Sequence, residues 1–186
     1  GLEKALREET SREVDLAIRR ILLIHGIILT VGGIPLIYLG DEIGMLNDYR
    51  FRNDVEKAGD SRWVHRPFYD WESAARRDDL STLPGQIYQG LRRLIALRKE
   101  NSAFSGGEMQ VIDTGNAHVL GYVRHSGSQR LLVLANFSEN QQPVAFNQLR
   151  LYGLSYTFSN LLTGAEIPLG DLALEPYQLM CLEGKT

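Results

Sequence analysis

At 186 residues the chain has room for one ordinary domain or two small ones, and 44% hydrophobic with 23% charged residues is the composition of a soluble globular protein with a sizeable core. A net charge of −3 gives no electrostatic case for a nucleic-acid or acidic-membrane partner. The single cysteine, Cys181, lies in the apolar run Leu179-Met180-Cys181-Leu182; it reads as a small core residue rather than a nucleophile, excludes a disulfide within the chain and fits a reducing cytoplasm.

Residues 1–13 are charged and polar, unlike a signal peptide. Thr10-Ser11-Arg12-Glu13 has the form of a capping box, so a helix is predicted to follow. Val14, Ala17, Ile18, Ile21, Leu22 and Ile28 recur at spacings of three and four, with Arg12, Asp15, Arg19 and Arg20 on the other face. Beyond Ile21 the apolar residues run all the way round, which predicts burial on most sides. The stretch 21–40 approaches the length of about 20 apolar residues that crosses a bilayer. Gly32-Gly33-Ile34-Pro35 interrupts it at the centre, so it is read as buried in protein, with no membrane partner. Gly32 and Gly33 are predicted to stop the helix. Residues 34–39 form a continuous apolar run without alternation, the pattern of a parallel strand covered on both faces. The run opens at Gly40 onto Asp41 and Glu42, and acids at a strand's carboxyl end are how (β/α)₈ barrel enzymes place chemistry.

Residues 41–84 are polar and aromatic-rich, without clear periodicity. A stretch this long in a compact domain is functional or disordered, and its aromatics argue against disorder. Pro84-Gly85 then introduces a helix predicted over 86–99, with Ile87, Leu91, Leu94 and Ile95 as its apolar face and Arg92, Arg93, Arg98 and Lys99 toward solvent or its C-terminal end. After Asn101 the character changes. Turn signals at Gly106-Gly107, Thr114-Gly115-Asn116 and Ser126-Gly127-Ser128 separate strands predicted at 109–112, 119–124, 130–135, 144–147, 156–159 and 177–182, as in a small antiparallel sandwich. No His/Cys cluster with metal-ligand spacing occurs, and neither a metal nor another cofactor is expected.

Gly33-Ile34-Pro35-Leu36-Ile37-Tyr38-Leu39-Gly40-Asp41-Glu42 resembles the eighth barrel strand of the α-amylase superfamily, glycoside hydrolase family 13. Leu91-Arg92-Arg93-Leu94-Ile95-Ala96-Leu97-Arg98 is similar to the final barrel helix. Within the superfamily, Leu46-Asn47-Asp48, Ser61-Arg62-Trp63-Val64-His65-Arg66-Pro67 and Gly85-Gln86-Ile87-Tyr88 are most like amylosucrases, and Asn136-Phe137-Ser138-Glu139 and Pro176-Tyr177-Gln178 agree. The resemblance implies an α/β segment followed by all-β: residues 1–102 as the C-terminal part of a (β/α)₈ TIM barrel and 103–186 as an antiparallel β-sandwich.

Amylosucrases cleave sucrose by retaining chemistry and pass the glucosyl unit to an α-1,4-glucan or to water. Such chemistry needs two carboxyl groups about 5–5.5 Å apart. In the family these, with a third aspartate, come from strands four, five and seven, which are not in this sequence. The resemblance therefore implies a chain without its own nucleophile or acid/base, inactive alone, and supporting a site completed by the missing barrel portion or by self-association. Arg62, or Arg66, resembles an arginine that pairs with an acid under the glucosyl ring, as a guanidinium fork suits. Asp41 and Glu42 are read as capping or holding the loop, with His65 as a hydrogen-bond donor and Asn47 and Asp48 in the same loop. Trp63 and Tyr69 are candidates for stacking on sugar, against the alternative of packing the loop. Other readings are a sucrose hydrolase, another superfamily glycosidase, or a non-catalytic carbohydrate-binding module built on the sandwich.

Overall fold

The computed structural model describes residues 1–154, 157–168 and 170–184, and the chain divides into two compact units, 1–18 with 37–89 and 19–36 with 90–186. The first unit is helical and loop-rich. Helix α1 (Leu2–Glu8) is followed by the start of α2 (Ser11–Thr30), where the amides of Glu13 and Val14 donate to the Thr10 carbonyl. Single 3₁₀ turns occupy Asp41–Ile43, Tyr49–Asn53 and Ser61–His65, then come α3 (Trp71–Ala75) and the first residues of α4 (Leu83–Glu100). Its small core gathers Ala5, Ile43, Ala74 and Ile87. Gly44 sits within it at φ 67°, and a Cβ there would lie 2.6 Å from Ile87 Cδ1, so backbone conformation and packing both require glycine. Helix α1 lies in the stretch read from sequence only as polar: it buries Ala5 and carries surface pairs Arg7–Glu3 and Lys4–Glu9.

The second unit holds the rest of α2 and α4, α5 (Ser102–Ser105), and strands β1 (Glu108–Ile112), β2 (Val119–Ser126), β3 (Gln129–Asn136), β4 (Gln142–Val144), β5 (Phe158–Asn160), β6 (Glu166–Ile167), β7 (Leu172–Leu174) and β8 (Leu179–Gly184). Six strands pair antiparallel in the order β1-β2-β3-β8-β5-β6, and β4 pairs with β7 as a second layer. Side chains alternate across the large sheet, as the two-residue period of a strand requires. Val123, Leu132, Leu134 and Leu182 meet Val144, Leu149, Leu172 and Leu174 on one face. Tyr122, Leu131, Val133 and Cys181 meet Leu97, Ala103 and Phe104 on the other. Strand β3 is covered on both faces, hence its unbroken run Leu131-Leu132-Val133-Leu134-Ala135. Burial pushes the Cys181 thiol up to about 12, so it stays protonated and inert.

The antiparallel β-sheet domain expected in the C-terminal part is observed, with local corrections. The strand predicted at 144–147 stops at Val144, and Phe146–Arg150 forms helix α6 instead, its first amide donating to Asp171 Oδ1. The strand predicted at 156–159 begins at Phe158, while residue 156 lies outside the described residues. The last strand starts at Leu179, because Tyr177 takes a left-handed φ of 53° in a turn where the Gln178 amide donates to the Glu175 carbonyl. Strands β6 and β7 are too short to have been read from sequence.

The largest difference concerns residues 34–39. They follow the helix stop, with Gly32 and Gly33 at φ 103° and 65°, yet among the described residues they belong to no sheet. Ile34 is 99% and Leu36 79% exposed. A parallel strand exists only by bonding to neighbours, and these residues pair with no strand among the described residues. Among the described residues no helix is long and apolar enough to cross a membrane.

Candidate functional site

The loop that follows residues 34–39 is held by one carboxylate used twice. Glu42 Oε2 accepts the Gly40 amide at 2.7 Å, which folds the loop back on itself at a glycine with φ 101°. Glu42 Oε1 accepts the Tyr69 hydroxyl at 2.7 Å, which ties the loop's far end to its start. That bond, with burial and the carboxylate's charge adding to it, pushes the Tyr69 phenol up to about 12. The Tyr69 ring also meets Trp71 edge-on, with centroids 4.8 Å apart.

Two Asp-x-Arg units build the middle of the loop in the same way. Asp48 and Asp60 each stand just before a 3₁₀ turn and accept the amide of the residue two places on, the Asx-turn bond that suits aspartate to this position. The arginine at that place folds its guanidinium back onto the same carboxylate: Arg50 onto Asp48 and Arg62 onto Asp60, each with Nη2 at 2.8 Å. These forks hold both aspartates at about 2, far below the ordinary carboxylate range. The turns are joined by the Asp48 amide donating to the Val64 carbonyl and by His65 Nδ1 against Asn47 Oδ1, both at 3.0 Å. Asn47 Nδ2 also donates to the Tyr49 hydroxyl. Lys57 and Arg66 lie over the Trp63 ring at 5.2 and 5.8 Å.

Of the residues singled out in the sequence, the fold brings Glu42 to Tyr69, His65 to Asn47 and Arg66 to Trp63. Arg62 pairs with its own neighbour Asp60, and Asp41 opens the first 3₁₀ turn without capping it. Lys57 and Arg66 lie over the Trp63 ring, and the Tyr69 hydroxyl is engaged by Glu42. A cleft of about 1170 Å³ lies beside these residues, lined in part by Asn47, Asp48, Arg50, Phe68, Asp70 and Arg76. Asp48, Arg50 and Asp70 were not all read as site residues, although their spacing signals them: Asp-x-Arg for the fork, and Asp-x-x-Ser for Asp70, which caps α3 and accepts from Ser73. No group of three or more His, Cys, Asp or Glu that could hold a metal occurs among the described residues. Chemically, the cleft offers fork donors, carboxylates and an exposed aromatic ring.

Residues 109–180 match the family described as Maltogenic Amylase, C-terminal domain. The β-rich part of the chain is thus similar to the C-terminal domains of α-amylase-superfamily (glycoside hydrolase family 13) enzymes. The relatives are carbohydrate-processing enzymes: glucosylglycerate phosphorylase of Escherichia coli (strain K12), 33% identical over 179 residues, covers 95% of this chain and is itself covered over 30% of its length. Trehalose synthase of Pimelobacter sp. (strain R48) is 26% identical over 171 residues, covering 79% of this chain and 30% of that protein. Among solved structures, AmyP in complex with maltose aligns at a TM-score of 0.70 and 20% identity over 89% of this chain and 34% of that one. The trehalulose synthase MutB from Pseudomonas mesoacidophila MX-45 aligns at 0.62 and 22% identity over 90% and 38%. The chain spans about a third of the length of the curated relatives it matches.

Proposed function

We propose that the chain works as the C-terminal part of a retaining α-glucosyl-transferring enzyme, with residues 34–39 as a strand of its barrel and the Gly40–Tyr69 loop as one wall of its pocket. The observation that carries this is the apolar segment 34–39, largely exposed and paired with no strand among the described residues, leading directly into a loop braced by Glu42. The carboxylates of the double displacement then come from other barrel strands, since both oxygens of Glu42 are engaged in holding the loop. Arg62 and Arg66 are assigned to the pocket side. The Arg62–Asp60 fork is solvent-exposed, so exchanging its carboxylate for another acid would cost little. Sucrose as donor and α-glucan as acceptor, the amylosucrase-like reading, is supported by the string Ser61-Arg62-Trp63-Val64-His65-Arg66-Pro67. The buried, unpaired Cys181 is in keeping with a cytoplasmic location.

A second reading is favoured by the 33% identity to glucosylglycerate phosphorylase: inorganic phosphate, rather than a glucan, takes the glucosyl unit. The test joins this chain to the carboxylate-bearing strands of such a barrel and supplies sucrose, or glucosylglycerate with and without phosphate. Fructose release from sucrose without phosphate supports the first reading. A glucose phosphate formed from glucosylglycerate supports the second, and a soluble, folded protein that does neither removes both.

A further inference from the structure

The carbonyls at the end of α2 have no partners within the helix, as at every helix C-terminus. Here an arginine from a distant part of the chain takes the Leu29 carbonyl, and two arginines hold the carbonyls of Val31 and Gly33 just beyond the helix. Arg98 of α4 donates through Nη1 to the carbonyls of Leu29 (2.7 Å) and Phe104 (2.6 Å), and through Nη2 to that of Gly33 (2.6 Å). Arg124 of β2, only 3% exposed, donates through Nε to Ala103 O (2.9 Å), through Nη1 to Val31 O (3.0 Å) and through Nη2 to Gly106 O. Leu29, Val31 and Gly33 are thus taken in alternation up to the last residue before Ile34. Each guanidinium also grips the segment around α5, so the end of α2 is fastened to a fixed part of the second unit.

The local sequence is shaped to admit this clamp. Gly32 has φ 103°, and a Cβ there would lie 3.0 Å from Arg124 Nη2 and 3.4 Å from Cζ; a side chain would strain the backbone and push the guanidinium away. Thr30 completes the arrangement, donating to the Gly26 carbonyl at 2.7 Å while its hydroxyl pairs with that of buried Tyr122. Positive charge at a helix C-terminus is favoured by the helix dipole. Burial of Arg124 and the neighbouring Arg98 charge both pull its pKa down, opposing that gain.

We propose that Arg98 and Arg124 are positioning residues: they set the direction in which the chain leaves α2 at residues 34–36. This rests on the reading of 34–39 as a barrel strand, but it is tested without substrate, so loss of either idea is visible separately.

Spin labels placed by Ile34→Cys and Ser128→Cys, both exposed, give the distance distribution between the segment and the β2–β3 turn; buried Cys181 stays unlabelled. In the otherwise unchanged chain the distribution is expected to be narrow. Arg124→Gln and Arg98→Gln should each broaden it at least about twofold and speed amide exchange at residues 30–33 by roughly tenfold, with exchange in β3 and β8 unchanged. Arg124→Lys should not restore the narrow distribution, because one ammonium cannot reach three carbonyls in fork geometry. Should Arg124→Gln fail to fold, Arg98→Gln, whose side chain is half-buried, and Gly32→Ala carry the same expectation. A distribution that stays narrow in the folded variants, full rescue by lysine, or broadening accompanied by equal loosening of β3 and β8 overturns the proposal.

Discussion

The loop-bearing unit and the β-rich unit use their arginines in opposite ways. In the first, Arg50 and Arg62 fold back onto carboxylates two residues away, in exposed forks that shape single turns. In the second, Arg98 reaches Leu29 across 69 positions and Arg124 reaches Val31 across 93, and their bonds go to main-chain carbonyls in a partly buried setting. The same contrast holds for apolar groups. Strand β3 has both faces covered, whereas residues 34–39, equally apolar, have no strand beside them. The β-rich unit supplies its own partners, and the segment leading into the loop pairs with no strand among the described residues.

Truncation in the sheet should give the largest effect. Leu134→Ala removes a fully buried side chain from the main core cluster and should destabilise the β-rich unit by about 2–5 kcal/mol in urea unfolding. Phe68→Ala, at 90% exposure in the loop, should shift the same transition by less than about 0.5 kcal/mol. Equal effects would erase the distinction between the two units.

The Glu42–Tyr69 bond sharpens the comparison at high pH. A phenol raised to about 12 in the folded state contributes stability that is complete below its unfolded value near 10 and is lost as pH rises through about 12. Glu42→Gln should bring Tyr69 back toward about 10. The check is ultraviolet difference titration of the parent and variant chains, each against its Tyr69→Phe counterpart. An unchanged Tyr69 titration in Glu42→Gln would mean the loop is not braced by this bond.

The smallest effect belongs to the exposed forks. Arg62→Ala should raise Asp60 from about 2 toward the usual value, visible by NMR titration, with the unfolding midpoint unmoved at neutral pH. The sign is that of a depressed carboxylate: any contribution is present above the ordinary aspartate range and fades as pH falls through about 2. A large loss of stability would show that the fork does more than close a turn.

What could be read from the sequence follows the range of the interactions. The helix stop at Gly32-Gly33, the apolar run of β3 and the hairpin at Gly127 are set by near neighbours and were legible. Residues 146 and 147 were not, because a strand pattern of two residues is overruled when Asp171 accepts the Phe146 amide and starts a helix. In the candidate site, Glu42 was readable as a loop-holding acid, while its bond to Tyr69 was not, since a bond across 27 residues leaves no local trace. Arg62 was noticed and its Asp60 fork was not, although both lie in one Asp-Ser-Arg string. The arginine clamp had no local signal at all: Arg98 looked like a solvent-facing helix residue and Arg124 like the end of a strand.

The most direct test of the central claim is turnover by the purified 186-residue chain itself, with intact mass verified, on sucrose and on glucosylglycerate with phosphate. The account predicts a folded protein with no release of fructose, glucose or a glucose phosphate from either donor. Turnover that disappears on Asp41→Asn or Glu42→Gln would contradict it, because those acids would then be doing the chemistry rather than shaping the loop.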